Sequence, residues 1–185
     1  MTGLIILAII VAAVGYAIFV YNDLVSKRQL KEEGWSGIDV QLKRRTDMIP
    51  NLMETVKGYM GHERETLEAV TQARAAATAG ANAGPAERSA LEGALSGALG
   101  KLLAIAEAYP DLKANTTFLE FQGALQNVED EIQLARRYYN GSVRNLNTAV
   151  ESFPSNVVAN AFKFDKAEYF ELENEAERAV PQVKF

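Results

Sequence analysis

The stretch "GLIILAIIVAAVGYAIFVY", Gly3 to Tyr21, is 19 residues long and carries no charged side chain. As a helix it spans ~28 Å, close to the ~30 Å hydrocarbon core of a bilayer. A cleaved signal peptide is the competing reading. It wants a basic stretch before the apolar run and a small-residue cleavage site after it. "MTG" and "FVYNDLVSK" supply neither, so a retained single-pass anchor is expected. Lys27, Arg28 and Lys31 follow the span and no Lys or Arg precedes it. The positive-inside tendency then places the N-terminus outside and the long C-terminal part in the cytoplasm.

Beyond the anchor, apolar positions recur three and four apart, the helical period. The first helix is expected to leave the membrane unbroken, with Leu24, Arg28, Lys31, Trp35, Ile38, Leu42, Arg45 and Ile49 on one seam. Three of these are basic, so this seam is read as bordering solvent. Pro50 lacks an N–H and disfavours a helical Ile49, which predicts an end or a kink there, with Asp47 as a cap for the next helix. A second helix follows through Leu52, Val56, Met60, Leu67, Val70 and Arg74, and "AAATAGANAGPA", residues 75–86, is expected to fray it into a linker. Pro85 suits the first turn of a third helix, whose seam is Leu91, Leu95, Ala98, Leu102, Ile105 and Tyr109. Gly93, Gly97 and Gly100 interrupt it, and close helix packing is the preferred reason. After "YPDLKAN", Thr117 and Glu120 match a capping box. A fourth helix then runs through Phe118, Phe121, Leu125, Val128, Ile132, Tyr139 and Leu146, stopping before Pro154.

Short connections make these antiparallel neighbours. The expected fold is therefore all-α, an N-terminal transmembrane helix continuing into an antiparallel up-down-up-down four-helix bundle. The expected division is a stub and span at 1–21, the bundle at 22–153, and a tail at 154–185. The tail's first half is expected to pack and its last ten or so residues to be mobile.

Composition removes several functions. With 185 residues, no cysteine and one histidine, thiol chemistry, disulfides and any mechanism needing two imidazoles are excluded within one chain. A net charge of −5 argues against nucleic acid as a partner. "HERET", residues 62–66, has Thr66 where a zincin needs its second histidine, so His62 is read as a surface side chain. The Glu-x-x-His pairs of a di-iron bundle are missing, and "VEDEI" points consecutive carboxylates in different directions. No cofactor, metal or catalytic residue is assigned.

Two surface clusters remain. In "WSGIDVQLKRRTDMIPNL", Asp39 and Lys43 can pair at i,i+4, while Lys43, Arg44 and Arg45 complement the helix dipole. Arg44, Arg45, Asp47 and Asn51, beside Tyr109, Asp111 and Lys113, form a candidate partner surface at an exposed tip. Counting ~1.5 Å per residue puts this tip ~38 Å beyond Asn22, too far for lipid contact. The same count returns "RRYYN" to the membrane-proximal level. There Lys27, Arg28, Arg136, Arg137, Tyr138 and Tyr139 are candidate headgroup contacts. Alternatively, the arginines pair with Glu129 and Asp130.

The segments "WSGIDVQLKRRTDMIPNLMETVKGYMGHERETLEAVTQAR", "YPDLKANTTFLEFQGALQNVEDEIQLARRYYNGSVRNLNTAVESFPSNVVANAFKF" and "EYFE", with the closing "PQVKF", resemble the LemA family almost end to end. The resemblance implies a bacterial inner-membrane protein with an extracellular stub and a cytoplasmic helical bundle. It implies no settled activity and carries over no catalytic residue. The leading expectation is a non-enzymatic adaptor or scaffold for an unidentified protein partner. The alternative is a membrane-organising protein that acts by self-association as a homo-oligomer and by headgroup contact.

Overall fold

The computed structural model describes residues 1–171, so the tail residues expected to be mobile lie outside it. The described chain is helical, with no strand. Its helices are α1 (Thr2–Lys57), α2 (Arg64–Ala79), α3 (Pro85–Ala106), α4 (Pro110–Lys113), α5 (Thr116–Glu151) and α6 (Ser155–Ala161). A 3₁₀ turn, Gly80–Asn82, joins α2 to α3. Its described residues group into two units. One holds residues 1–38 and 135–169, the other 39–134 with Phe170 and Glu171.

Pro50 does not end α1. Proline removes the N–H that would bond the carbonyl of Thr46. Arg74 of α2 donates its Nε–H to that carbonyl at 3.1 Å. The orphaned acceptor is satisfied from outside, and the helix continues to Lys57. This corrects several expectations together. The break falls at 58–63, and His62 lies in that turn rather than on a helix. Asp47 sits mid-helix and accepts from Lys43 at 2.7 Å instead of capping anything.

Within the second unit, four long helices share one core. It comprises Ile49, Leu52, Met53 and Val56 of α1, Val70 and Ala77 of α2, Leu95, Leu99, Leu102 and Ala106 of α3, and Phe118 and Leu125 of α5. Met60 and Leu112 close it. Each fully buried large side chain adds about 1.5–3 kcal/mol. α3 is apolar enough to cross a membrane by composition, but its Leu95, Leu99 and Leu102 lie in this core, so it is a core helix. The alanine run stays helical to Ala79 because Ala77 is buried there. Gly80 then allows the Leu91 side chain to approach where a Cβ would stand. Gly97 and Gly100 face open space, so close packing does not explain them. The start of α5 also differs: Asn115 accepts from the N–H of Phe118 at 3.0 Å and takes the cap expected of Thr117.

Within the first unit, the apolar run is exposed from Leu4 to Tyr16 and again at Ile18 and Phe19, the pattern of a lipid-facing helix. The run's end is different: Val20 and Leu24 are buried against Leu146, Val158, Ala159 and Phe164. Gly34 lets α1 lie close against α5. A Cβ there would lie 3.0 Å from the Cα of Tyr139. The extended segment after α6 is held by Asn147. Its Nδ2 donates to the carbonyl of Ala167 at 2.9 Å, and its Oδ1 accepts from the same residue's N–H at 2.8 Å.

Candidate functional site

Arg45, 2% exposed, is a fully buried cation in the second unit. It lies on the apolar stripe of α1 between Leu42 and Ile49, so the helix itself aims it inward. Its Nη1 donates to Glu129 Oε2 at 2.8 Å and to Ser96 Oγ at 2.6 Å. Its Nη2 donates to the carboxylate and the carbonyl of Glu92, at 2.6 and 3.2 Å. One guanidinium thus ties together α1, α3 and α5. Glu92 is as deeply buried, at 3%, whereas Glu129 keeps 34% of its side chain in solvent. The expectation of Arg45 on a solvent-facing tip is corrected: apolar neighbours bury the position, and two carboxylates make burial tolerable.

A second buried arginine, Arg88, extends the polar layer. It donates to Asp39 at 2.5 Å and to the carbonyl of Ala81 at 2.7 Å. Asp39 therefore pairs with Arg88, not with Lys43. A cleft of about 290 Å³ opens at Arg45, lined also by Ser96, Gly100, Gln122, Gln126 and Glu129. Another of about 270 Å³ opens over Asp39, Thr46, Thr78, Arg88 and Glu92. Both terminal nitrogens of Arg45 are already committed to acceptors. No group of three metal-ligating side chains occurs among the described residues.

The other expected partner-surface residues divide into two places. Arg44, Asp47 and Asn51 are exposed on α1, in line with exposed Val40. Asp111 is exposed on α4, and Lys113 pairs with Glu107. Tyr109 donates to Glu63 at 2.9 Å, and Asn115 donates to the Tyr59 hydroxyl at 3.1 Å. Being a donor to Glu63 raises the Tyr109 pKa above 10.0. So α4 stands beside the 58–63 turn. Arg44 is ~20 Å back along α1 from its end at Lys57, and the single tip expected from the sequence is not formed. The cause is the unbroken helix at Pro50.

The same shift acts on the expected headgroup contacts. Tyr139 packs against Trp35 with ring centroids 5.3 Å apart, and Trp35 is ~21 Å along α1 from Tyr21. Tyr139 is 2% exposed, and its hydroxyl donates to the carbonyl of Glu168 at 2.9 Å. Burial, then the Glu168 charge, pushes its pKa from 10.0 up to about 12. Tyr139 is thus a core residue, which corrects its place among the lipid contacts. Arg136 is half-buried, while Arg137 and Tyr138 are exposed. Glu129 bonds Arg45 and Asp130 accepts from Gln126. Lys27 pairs with Asp23, and Arg28 lies 5.3 Å from the Phe164 ring centroid.

Sequence reasoning missed Glu92, Glu129, Arg88 and Asp39 as one layer. The available signal was charge on apolar seams: Glu92 lies three residues before Leu95, and Glu129 four after Leu125.

Comparison with known proteins bears on the whole arrangement. The profile described as the LemA family matches residues 34–185. Protein LemA of Metamycoplasma hominis is 29% identical over 153 residues, which is 80% of this chain and 69% of that protein. Magnetosome protein MamQ 2 of Paramagnetospirillum magneticum is 32% identical over 72 residues, 39% of this chain and 26% of that protein. Magnetosome protein MamQ of Magnetospirillum gryphiswaldense is 32% identical over 71 residues, again 26% of its own length.

Proposed function

This chain belongs to the LemA family, and we propose that it is a membrane-anchored, non-enzymatic adaptor or scaffold. In this reading α1 spans the bacterial inner membrane once, with its N-terminus outside. The remainder is an antiparallel four-helix bundle that meets a protein partner in the cytoplasm. The observation that carries the reading is α1 itself. One unbroken helix bears a lipid-like exposed apolar run at Leu4–Tyr16 and core residues at Ile49–Val56. The buried Arg45–Glu92–Glu129 layer supports a rigid scaffold, since it trades core hydrophobicity for a fixed helix register.

The partner surface is the exposed stripe Val40, Arg44, Asp47 and Asn51, which a partner helix can read at i, i+4, i+7 and i+11. In-cell photo-crosslinking from position 44 in native membranes tests this. One dominant foreign protein is the expected result. Adducts only to the chain itself would move the assignment to a homo-oligomeric membrane organiser. Arg137 and Tyr138 are exposed, and at the level of Trp35, ~21 Å along α1 from Tyr21, they favour the self-association part of that second reading rather than headgroup contact. Charge reversal at Arg136 and Arg137 separates the two, because only the organiser loses its adducts to itself while capture of a foreign partner persists.

A further inference from the structure

α6 carries its apolar side chains on two sides. Val158 and Ala159 face inward against Val20 and Leu24. Outside, Phe153 is 82% exposed, Val157 61% and Phe162 58%. Three large apolar side chains within ten residues at a polar helix–loop junction need an environment other than water. The position supplies one. The Phe162 ring lies edge-on to Tyr21, with centroids 4.9 Å apart, and Tyr21 is the last residue of the uncharged run.

The backbone here is arranged to keep Phe162 outside. Lys163 adopts φ 57°, a left-handed conformation that non-glycine residues seldom take. The turn is closed by the N–H of Phe164 on the carbonyl of Ala159 at 2.9 Å, the six-to-one bond of a Schellman motif. It sends Phe164 into the core and leaves Phe162 beside Tyr21. Lys163 and Arg28 supply the basic rim that anionic headgroups favour.

We propose that Phe153, Val157 and Phe162 form a second membrane contact, an interfacial wedge seated in the headgroup–acyl boundary of the bilayer that holds α1. Continuity with the apolar run through Tyr21 selects lipid over a protein partner. An amphipathic element of this kind sits ~5–10 Å into the boundary. The wedge fixes the tilt of α1 at its exit from the membrane, a second point of attachment that one helix alone lacks.

This inference rests on α1 being a membrane span, and the test separates the two. The chain has no cysteine, so single-cysteine variants of the full chain take one nitroxide each. Labels go at Phe153→Cys, Val157→Cys and Phe162→Cys, with Ile10→Cys as the mid-span control. Gly37→Cys, ~24 Å along α1 from Tyr21, is the aqueous control. Vesicles are mixed phosphatidylethanolamine and phosphatidylglycerol. Relaxation by dissolved oxygen against a water-soluble nickel chelate reads depth. The three wedge labels are expected to show oxygen-to-nickel ratios several-fold above Gly37→Cys and below Ile10→Cys. Ratios equal to Gly37→Cys, with Ile10→Cys deep, would overturn the wedge and leave the anchor. Low access to both reagents would overturn it in favour of cover by a second copy. A shallow Ile10→Cys would sink the anchor and the wedge together.

Discussion

Replacing Arg45 with methionine keeps most of the side-chain volume in the core and removes the cation. Glu92, 3% exposed, is then a buried carboxylate without its partner, while Glu129, 34% exposed, can turn toward water through the adjoining cleft. The cost is therefore dominated by Glu92, and breaking a buried pair from one side costs about 3–5 kcal/mol. That is a large share of a total stability of ~5–15 kcal/mol. At ~2–4 °C per kcal/mol for a chain of this size, the melting temperature should fall by ~6–20 °C. Removing the carboxylate as well reverses most of the loss, because an apolar replacement of a whole buried pair is often neutral or better. The assay is urea and thermal unfolding of the full chain in detergent micelles, followed by far-ultraviolet circular dichroism. Arg45→Met, Glu92→Leu and the double variant form a cycle whose coupling should exceed about 2 kcal/mol. A loss below about 1 kcal/mol for Arg45→Met, or a double variant as poor as the sum of the singles, would refute the reasoning.

Arg74→Met leaves the Thr46 carbonyl without a donor and should cost ~1–3 kcal/mol. Adding Pro50→Ala restores an intrahelical N–H and should recover part of that loss in the same melts. Gly34→Val meets the backbone of Tyr139 and should destabilise by ~1–3 kcal/mol. Gly37→Ala, which meets nothing, should be neutral or slightly stabilising. Tyr139 has a pKa raised from 10.0 to about 12. Stability from its neutral phenol is thus fully present below pH 10 and lost as pH rises from 10 toward 12. Unfolding measured across that window should show a falling limb that Tyr139→Phe, which cannot ionise, flattens.

Much of the fold was legible because helix period and membrane hydropathy are local signals. The uncharged run, the seams through Leu95–Leu102 and Leu125–Ile132, and Pro85 at a helix start could all be read from spacing. Pro50 could not, because its helix-breaking tendency is overridden by Arg74, 24 residues away in sequence. That one long-range bond lengthens α1 and moves every level read from it. It is why Tyr109 meets Glu63 and why Tyr139 meets Trp35. Arg45 was misplaced for a related reason. A basic residue on a seam signals solvent unless carboxylates on other helices converge on it, and the convergence of Glu92 and Glu129 is a property of the packed fold.

The central claim, that α1 is an anchor with the helical remainder in the cytoplasm, is tested most directly by thiol labelling of whole cells. The cysteine-free chain gives Thr2→Cys and Gly61→Cys as single reporters. A reagent unable to cross the inner membrane should label Thr2→Cys in intact cells and Gly61→Cys only after lysis. Labelling of Gly61→Cys in intact cells, or recovery of the chain in the soluble fraction, would contradict the account.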